Sequence, residues 1–248
     1  MTRPARVTAL VDSSAYADGV AEHGAWLAER LAGRLQLRHV REGGEDALVG
    51  RRLLESLARR LGDQGLPVPE LSLVEGGVLA AAVGAEADLL VMGKRGVSHQ
   101  GDRAALGGHV DAVVRAATTP VCLTSQVFLP IPRVVAVTDA DPSRRAAVDL
   151  VARQAGFADL DLDVIVAVGP GREAEAKLGL TRQALEGRAA AFPIHAERLG
   201  EAVWRYLDDR PADLIVISRE VLFGDENRPL GAVSPQSFWM ARASVLVC

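Results

Sequence analysis

ADLLVMGKRGVSHQGDRAALGGHVDAVVRAATTPVCLTS, residues Ala87–Ser125, decides the architecture. Leu89, Leu90, Val91 and Met92 read as a buried strand. A glycine-bearing turn, a short amphipathic helix and a second apolar strand, Val121–Thr124, follow it. Short apolar runs alternating with helical spacing are the pattern of βαβ units in a parallel sheet. Glycines stand where the first strand ends (Gly93), three residues on (Gly96) and just before the helix (Gly107, Gly108). A residue without Cβ lets the backbone approach a ligand closely, and N–H groups at a helix start attract anions. Parallel sheets bind ligands in the crevice beyond the carboxyl ends of their strands, where this turn falls. The same glycines also suit a plain tight βα turn, and both readings stand at this point.

Upstream, Arg6–Val11 is an apolar strand tipped by Asp12, Ser13 and Ser14, which suit a helix cap or a ligand contact. Residues 18–31 have helical spacing, Leu35–Val40 a strand, Asp46–Leu61 an amphipathic helix with Leu53, Leu54, Leu57 and Leu61 on one side. Val68–Val74 is a strand that Pro69 places towards an edge, and Val78–Ala85 a short alanine-rich helix. Downstream the pattern restarts. Gln126–Pro132 reads as a linker, Arg133–Val137 as a strand with Asp139 near its end, and Asp141-Pro142 as a helix start. That helix runs to Gln154; strand Leu162–Val168, helix Arg172–Ala190, extended Phe192–Arg198 and helix Glu201–Leu207 follow. Ala212–Ile217 (ADLIVI) nearly copies Ala87–Met92 (ADLLVM), and a helix around 236–242 and strand Ser244–Cys248 close the chain. Asp12 to Asp139 is 127 residues, Asp88 to Asp213 125, and Gly107 to Gly231 124. Two repeated five-stranded, mainly parallel α/β domains are expected, 1–127 and 128–248.

MGKRG followed by LGGHVDAVVRAATTPVCL resembles the signature of the universal stress protein family. Its nucleotide-binding members carry Gly-x2-Gly-x9-Gly-(Ser/Thr) between the fourth strand and the last helix. Here Gly93-x2-Gly96 is followed by ten residues before Gly107, and Gly108 replaces the Ser or Thr. The resemblance implies a Rossmann-like fold, akin to the adenine nucleotide α-hydrolases, with the halves paired as an intramolecular pseudo-dimer. It also implies a stress-response regulator that binds ATP or AMP, with Mg2+. Asp12 and Ser13 would then face the adenine or ribose, Val40 and Met92 line the base, and Gly93, Gly96, Gly107 and Gly108 face the phosphates. Lys94, Arg95 and Arg103 lie beside the glycines, where they suit either phosphate oxygens or, for any one of them, a solvated place in an exposed loop. His109 could be a phosphate ligand or a capping residue, and His39 is read as structural. His99 and Asp102 share a loop but form no triad.

The second half departs from this chemistry. Ser218-Arg219-Glu220-Val221 replaces Gly93-Lys94-Arg95-Gly96, and Ala232 follows Gly231. A side chain on Val221 and the carboxylate of Glu220 oppose phosphate, so this half reads as a degenerate partner. An aromatic content of 4% argues against base stacking, and a net charge of -4 with a pI near 5.8 argues against a nucleic-acid footprint. Cys122 and Cys248 lie in apolar strands away from metal-ligand spacing, so free thiols in a reducing compartment are expected. MTRPARVTALVD enters a strand directly, and Glu86 and Asp88 interrupt the apolar run before Met92. A soluble, cytoplasmic protein off the membrane is expected. No Walker A motif or nucleophile elbow is present, so no enzyme is expected. An interaction scaffold with a protein partner, further homodimerisation and a slow ATPase stand as alternatives.

Overall fold

The computed structural model describes residues 3–96, 109–138, 146–168, 172–195, 199–223 and 242–248. Gly107, Gly108, the loop residues His99, Asp102 and Arg103, the Asp139–Pro142 segment, Gly231-Ala232 and most of the 236–242 helix fall outside these. The chain divides into two compact units, Met1–Phe128 and Leu129–Cys248.

Unit 1 contains β1 (Arg6–Val11), α1 (Ala17–Arg30), β2 (Arg34–Arg41), α2 (Ala47–Asp63), β3 (Glu70–Glu75), α3 (Val78–Val83), β4 (Leu89–Gly93), α4 (Val110–Ala116) and β5 (Val121–Thr124). Its strands are parallel and ordered β3-β2-β1-β4-β5. The inner strands are buried on both faces, so β1 and β4 are near-continuous apolar runs rather than alternating ones. As Pro69 suggests, β3 is an edge strand, and it begins immediately after that proline.

The helices differ in how they meet the sheet. Most of α1 is buried, and its small residues let it sit close. A Cβ at Gly24 would stand 2.9 Å from Leu35 Cδ1, and one at Gly19 would overlap the carbonyl oxygen of Gln126. By contrast α2 buries only Gly50, Leu54, Leu57 and Leu61, and Asp46 caps it by accepting from the Leu48 N–H at 2.9 Å.

Unit 2 contains β6 (Arg133–Thr138), α5 (Ala146–Arg153), β7 (Asp161–Val168), α6 (Arg172–Leu185), β8 (Ala190–His195), α7 (Leu199–Asp209), β9 (Leu214–Ile217), α8 (Arg219–Phe223) and β10 (Ser244–Val247). Its parallel strands run β8-β7-β6-β9-β10, the same order as in unit 1. The repeat extends to single hydrogen bonds. Asp88 Oδ2 accepts from the Arg6 N–H at 2.8 Å, and Asp213 Oδ2 from the Arg133 N–H at 3.0 Å. In each case the Asp N–H donates back to the same residue's carbonyl. Helix α6 stops at Leu185, short of the Ala190 expected from spacing, because Glu186 and Gly187 take φ of 49° and 79°. Inside unit 2, Asp163 is buried and its Oδ2 receives the Arg133 guanidinium and, at 2.6 Å, the Tyr206 hydroxyl. Burial, then the hydrogen bond to Asp163, pushes the Tyr206 phenol up to about 12.

Candidate ligand cleft

The strand order of unit 1 reverses between β1 and β4, and a cleft of about 450 Å3 opens beyond the carboxyl ends of β2, β1 and β4. Asp12, Ser13, Val40, Met92, Gly93, Arg95, Gly96 and His109 all line it. Of the other residues singled out in the sequence, Lys94 does not line it, and Arg103, Gly107 and Gly108 lie outside the described residues. Leu10, Val11, Val20, Val78 and Val110 add an apolar floor, and Tyr16, Arg38, His39, Glu42 and Glu45 complete the wall.

Local hydrogen bonding fixes the end of β1. Asp12 Oδ1 accepts from the Ser14 N–H at 2.9 Å, and Ser14 Oγ accepts from the Tyr16 N–H at 3.2 Å. These two side-chain turns feed the chain into α1. The other carboxylate oxygen of Asp12 faces the β4 turn: a Cβ at Gly96 would stand 2.7 Å from it. Glycine at 96 therefore brings backbone and carboxylate together. Gly93 has a packing reason of its own, since a Cβ there would stand 2.9 Å from both Tyr16 Cβ and the Arg95 carbonyl.

His39, at the end of β2, is buried and well partnered. Its Nδ1 lies 2.8 Å from the Val11 carbonyl and its Nε2 3.0 Å from Glu45 Oε2, so it ties β2 to β1 and to the α2 approach. Glu42 Oε1 accepts from the Val78 N–H at 3.3 Å, and its Oε2 lies 3.9 Å from His109 Nε2 across the mouth. Arg38 NH1 donates to the Ala81 carbonyl and NH2 to Gln36 Oε1, which directs its guanidinium to α3. Glu42 and Glu45 also border a neighbouring hollow of about 340 Å3 with Arg41, Glu75 and the 43–44 and 76–77 glycines.

Lys94 departs from the sequence expectation. It is 4% exposed and does not line the cleft. Burial pushes its ammonium down to about 8, with Cys122 of β5 and Arg95 as its further electrostatic neighbours. His23 of α1 senses the same charge and is pushed down to about 4, chiefly by burial. Among the described residues of this turn, Arg95 is the cation that lines the cleft. Among the described residues, no group of three or more His, Cys, Asp or Glu side chains could hold a metal ion. No described helix is long and apolar enough to cross a membrane.

No family model matches the chain. A universal stress protein of Synechocystis is 30% identical over 137 residues, covering 52% of this chain and 47% of the relative. The chain thus spans about half the length of that curated relative. The solved structure of a universal stress protein from Archaeoglobus fulgidus matches with a TM-score of 0.74 at 14% identity, over 99% of this chain and 96% of that one. The chain is similar to a universal stress protein over half of its sequence and shares the fold of another over nearly all of its length. A protein of unknown function from Pseudomonas aeruginosa shares the fold, with a TM-score of 0.68 at 16% identity over 98% and 92% of the two chains.

Set beside this universal stress protein fold, the two units differ most after their fourth strands. In unit 1 the turn is open and glycine-lined. In unit 2 the chain passes directly into α8, where Val221 and Leu222 are buried. Val221 occupies the position of Gly96, and the Arg219 N–H donates to the Cys248 carbonyl at 2.7 Å. The sequence showed the loss of both glycines but not that the segment would coil into helix. Sequence reading also passed over Tyr16, Glu42, Glu45 and Val78. Their only signal was position, each lying just beyond a strand end or at a helix start facing the crevice.

Proposed function

We propose that the chain is a non-catalytic regulatory protein of the universal stress type, whose first unit binds an adenine nucleotide, ATP or AMP. The observation that carries this reading is the abutment of Gly96 on Asp12. A Cβ-free turn, a strand-end carboxylate and an apolar floor meet in one crevice at the point where strand order reverses. Its volume is in the range of small-molecule sites, about 300–1,000 Å3. Val40, Met92 and Val110 would flank the base, Asp12 would accept from ribose hydroxyls, and Arg95 with the Gly93–Gly96 backbone would take phosphate oxygens. Any Mg2+ would arrive with the nucleotide. The imidazoles of the cleft have structural partners, His39 with Val11 and Glu45, and His109 with Glu42. Regulation then needs only a difference in affinity between two states of the protein, not turnover.

Calorimetric titration of ATP and AMP into the native chain and a Gly96→Glu variant tests the reading. One-site binding that the variant loses, with its circular dichroism unchanged, supports it. No heat with either nucleotide at high micromolar protein refutes it. That outcome favours a nucleotide-free scaffold, for which Gly108 and helix α8 already speak.

A further inference from the structure

We infer that the open edge of β3 takes up an extended segment of a partner protein as an added strand, apolar at alternate positions and ending in Lys or Arg. One hydrogen bond fixes which backbone groups are on offer. The Gly76 N–H donates inward to the Arg41 carbonyl of β2 at 3.1 Å. Along a strand the N–H and C=O groups of successive residues point alternately to its two sides. Val74 and Ser72 therefore face β2, and Leu71, Leu73 and Glu75 turn their N–H and C=O groups outward. Among the described residues β3 pairs with β2 alone. Pro69, which has no N–H, falls at the next outward position and marks where this edge starts. Helix α2 packs on the strand so closely that a Cβ at Gly50 would stand 2.7 Å from Leu73 Cδ1, which holds the edge in place.

Folded proteins blunt such rows with proline, lysine or a bulge, because an unpaired edge is a template for another chain. The corresponding end strand of unit 2, β8, carries Pro193 and lacks a donor there. Between Glu70 and Glu75, β3 has no proline, no lysine and no residue with positive φ. Apolar surface borders the open groups, with Leu71 46% exposed and Val68, just before the strand, 84%. Charge selects the occupant. Glu70 and Glu75 end the strand, and Glu75 also lines the hollow beyond it with Glu42 and Glu45, three carboxylates against Arg41. A segment with Lys or Arg at the end that reaches this hollow answers that charge. A second copy does not. With the two Leu73 residues opposite each other in antiparallel pairing, the seam would gather both Glu70 and both Glu75 side chains, and β3 brings no cation to them. Backbone bonds would thus supply the docking, and alternate apolar residues and the terminal cations its selectivity.

The test is a titration of the isotope-labelled full chain, followed by its amide resonances, with a blocked peptide in which Val alternates with Thr between paired terminal Lys residues. Slowed hydrogen exchange is expected at the Leu71, Leu73 and Glu75 amides, with little change at Ser72 and Val74, which already face β2. The same peptide methylated at every backbone nitrogen should not bind, because it has no donors to add to the sheet. A version with Glu in place of Lys should bind about tenfold more weakly at low salt. Glu75→Gln should narrow that gap, and so should raised salt, because screening weakens interactions between exposed charges. Equal binding of the methylated peptide overturns the inference, and so does equal binding of the Lys and Glu peptides. No slowed exchange at the three outward amides with millimolar peptide overturns it as well. Protection of those amides without peptide, rising with protein concentration, overturns it in favour of a second copy.

Discussion

Replacing Lys94 by Met should stabilise unit 1 and erase a specific part of its pH dependence. Burial lowers the Lys94 pKa from 10.5 to about 8, so the charged form is disfavoured in the fold. That difference corresponds to about 3 kcal/mol of destabilisation while both folded and unfolded chains hold the proton, below pH 8. Between pH 8 and 10.5 the unfolded chain still binds the proton and the folded chain does not, so stability rises with pH. Above that window the destabilisation is gone. Methionine is unbranched, of similar length and carries no charge. At pH 7 the variant should therefore gain on the order of 2–3 kcal/mol. Urea unfolding read by pulsed hydrogen exchange of β1 and β4 peptides reports unit 1 separately, at pH values from 7 to above the window. The native chain should become more resistant across this range relative to the variant, until the two converge. A variant no more stable than the native chain at pH 7, or parallel pH profiles, would refute the reasoning. Nucleotide affinity should not change with this substitution, because the side chain does not face the cleft.

Two further perturbations test the packing. Gly19→Ala drives a methyl into the Gln126 carbonyl and should cost about 1–3 kcal/mol, read as a lower thermal midpoint; an unchanged midpoint would show that α1 can retreat. Asp163→Ala leaves the Arg133 guanidinium and Tyr206 hydroxyl facing a buried gap, and should cost about 3–5 kcal/mol in urea unfolding of unit 2. Asp163→Asn should cost less, because its amide oxygen still accepts.

The alternation of apolar runs and helical spacing made the strands legible, since a strand buried on both faces has no reason to carry polar residues. The repeat was legible because it rests on residues with fixed structural tasks, such as Asp88 and Asp213, which each fasten the start of a strand. The cleft was legible where glycines and a strand-tip carboxylate marked it. What sequence could not give was the burial of a side chain in a turn: Lys94 and Arg95 are neighbours, and only the folded turn buries one and sets the other along the cleft. Nor could it name the partners of His39, read from the sequence as structural: Val11 in β1 and Glu45 in the approach to α2. Gly93 also had two explanations, and the side chain that gives it a packing reason, Tyr16, stands far away in sequence.

The contact at Gly19 also has a mechanical meaning. Helix α1 begins one residue after Tyr16, which lines the cleft, and within its first turn it presses on Gln126, where the chain leaves unit 1. The gap between them is already smaller than a methyl group, and close-packed interiors transmit strain rather than absorb it. The start of α1 and the segment at 125–126 are therefore packed without slack: any tilt of the helix towards Gln126 would have to move that backbone with it.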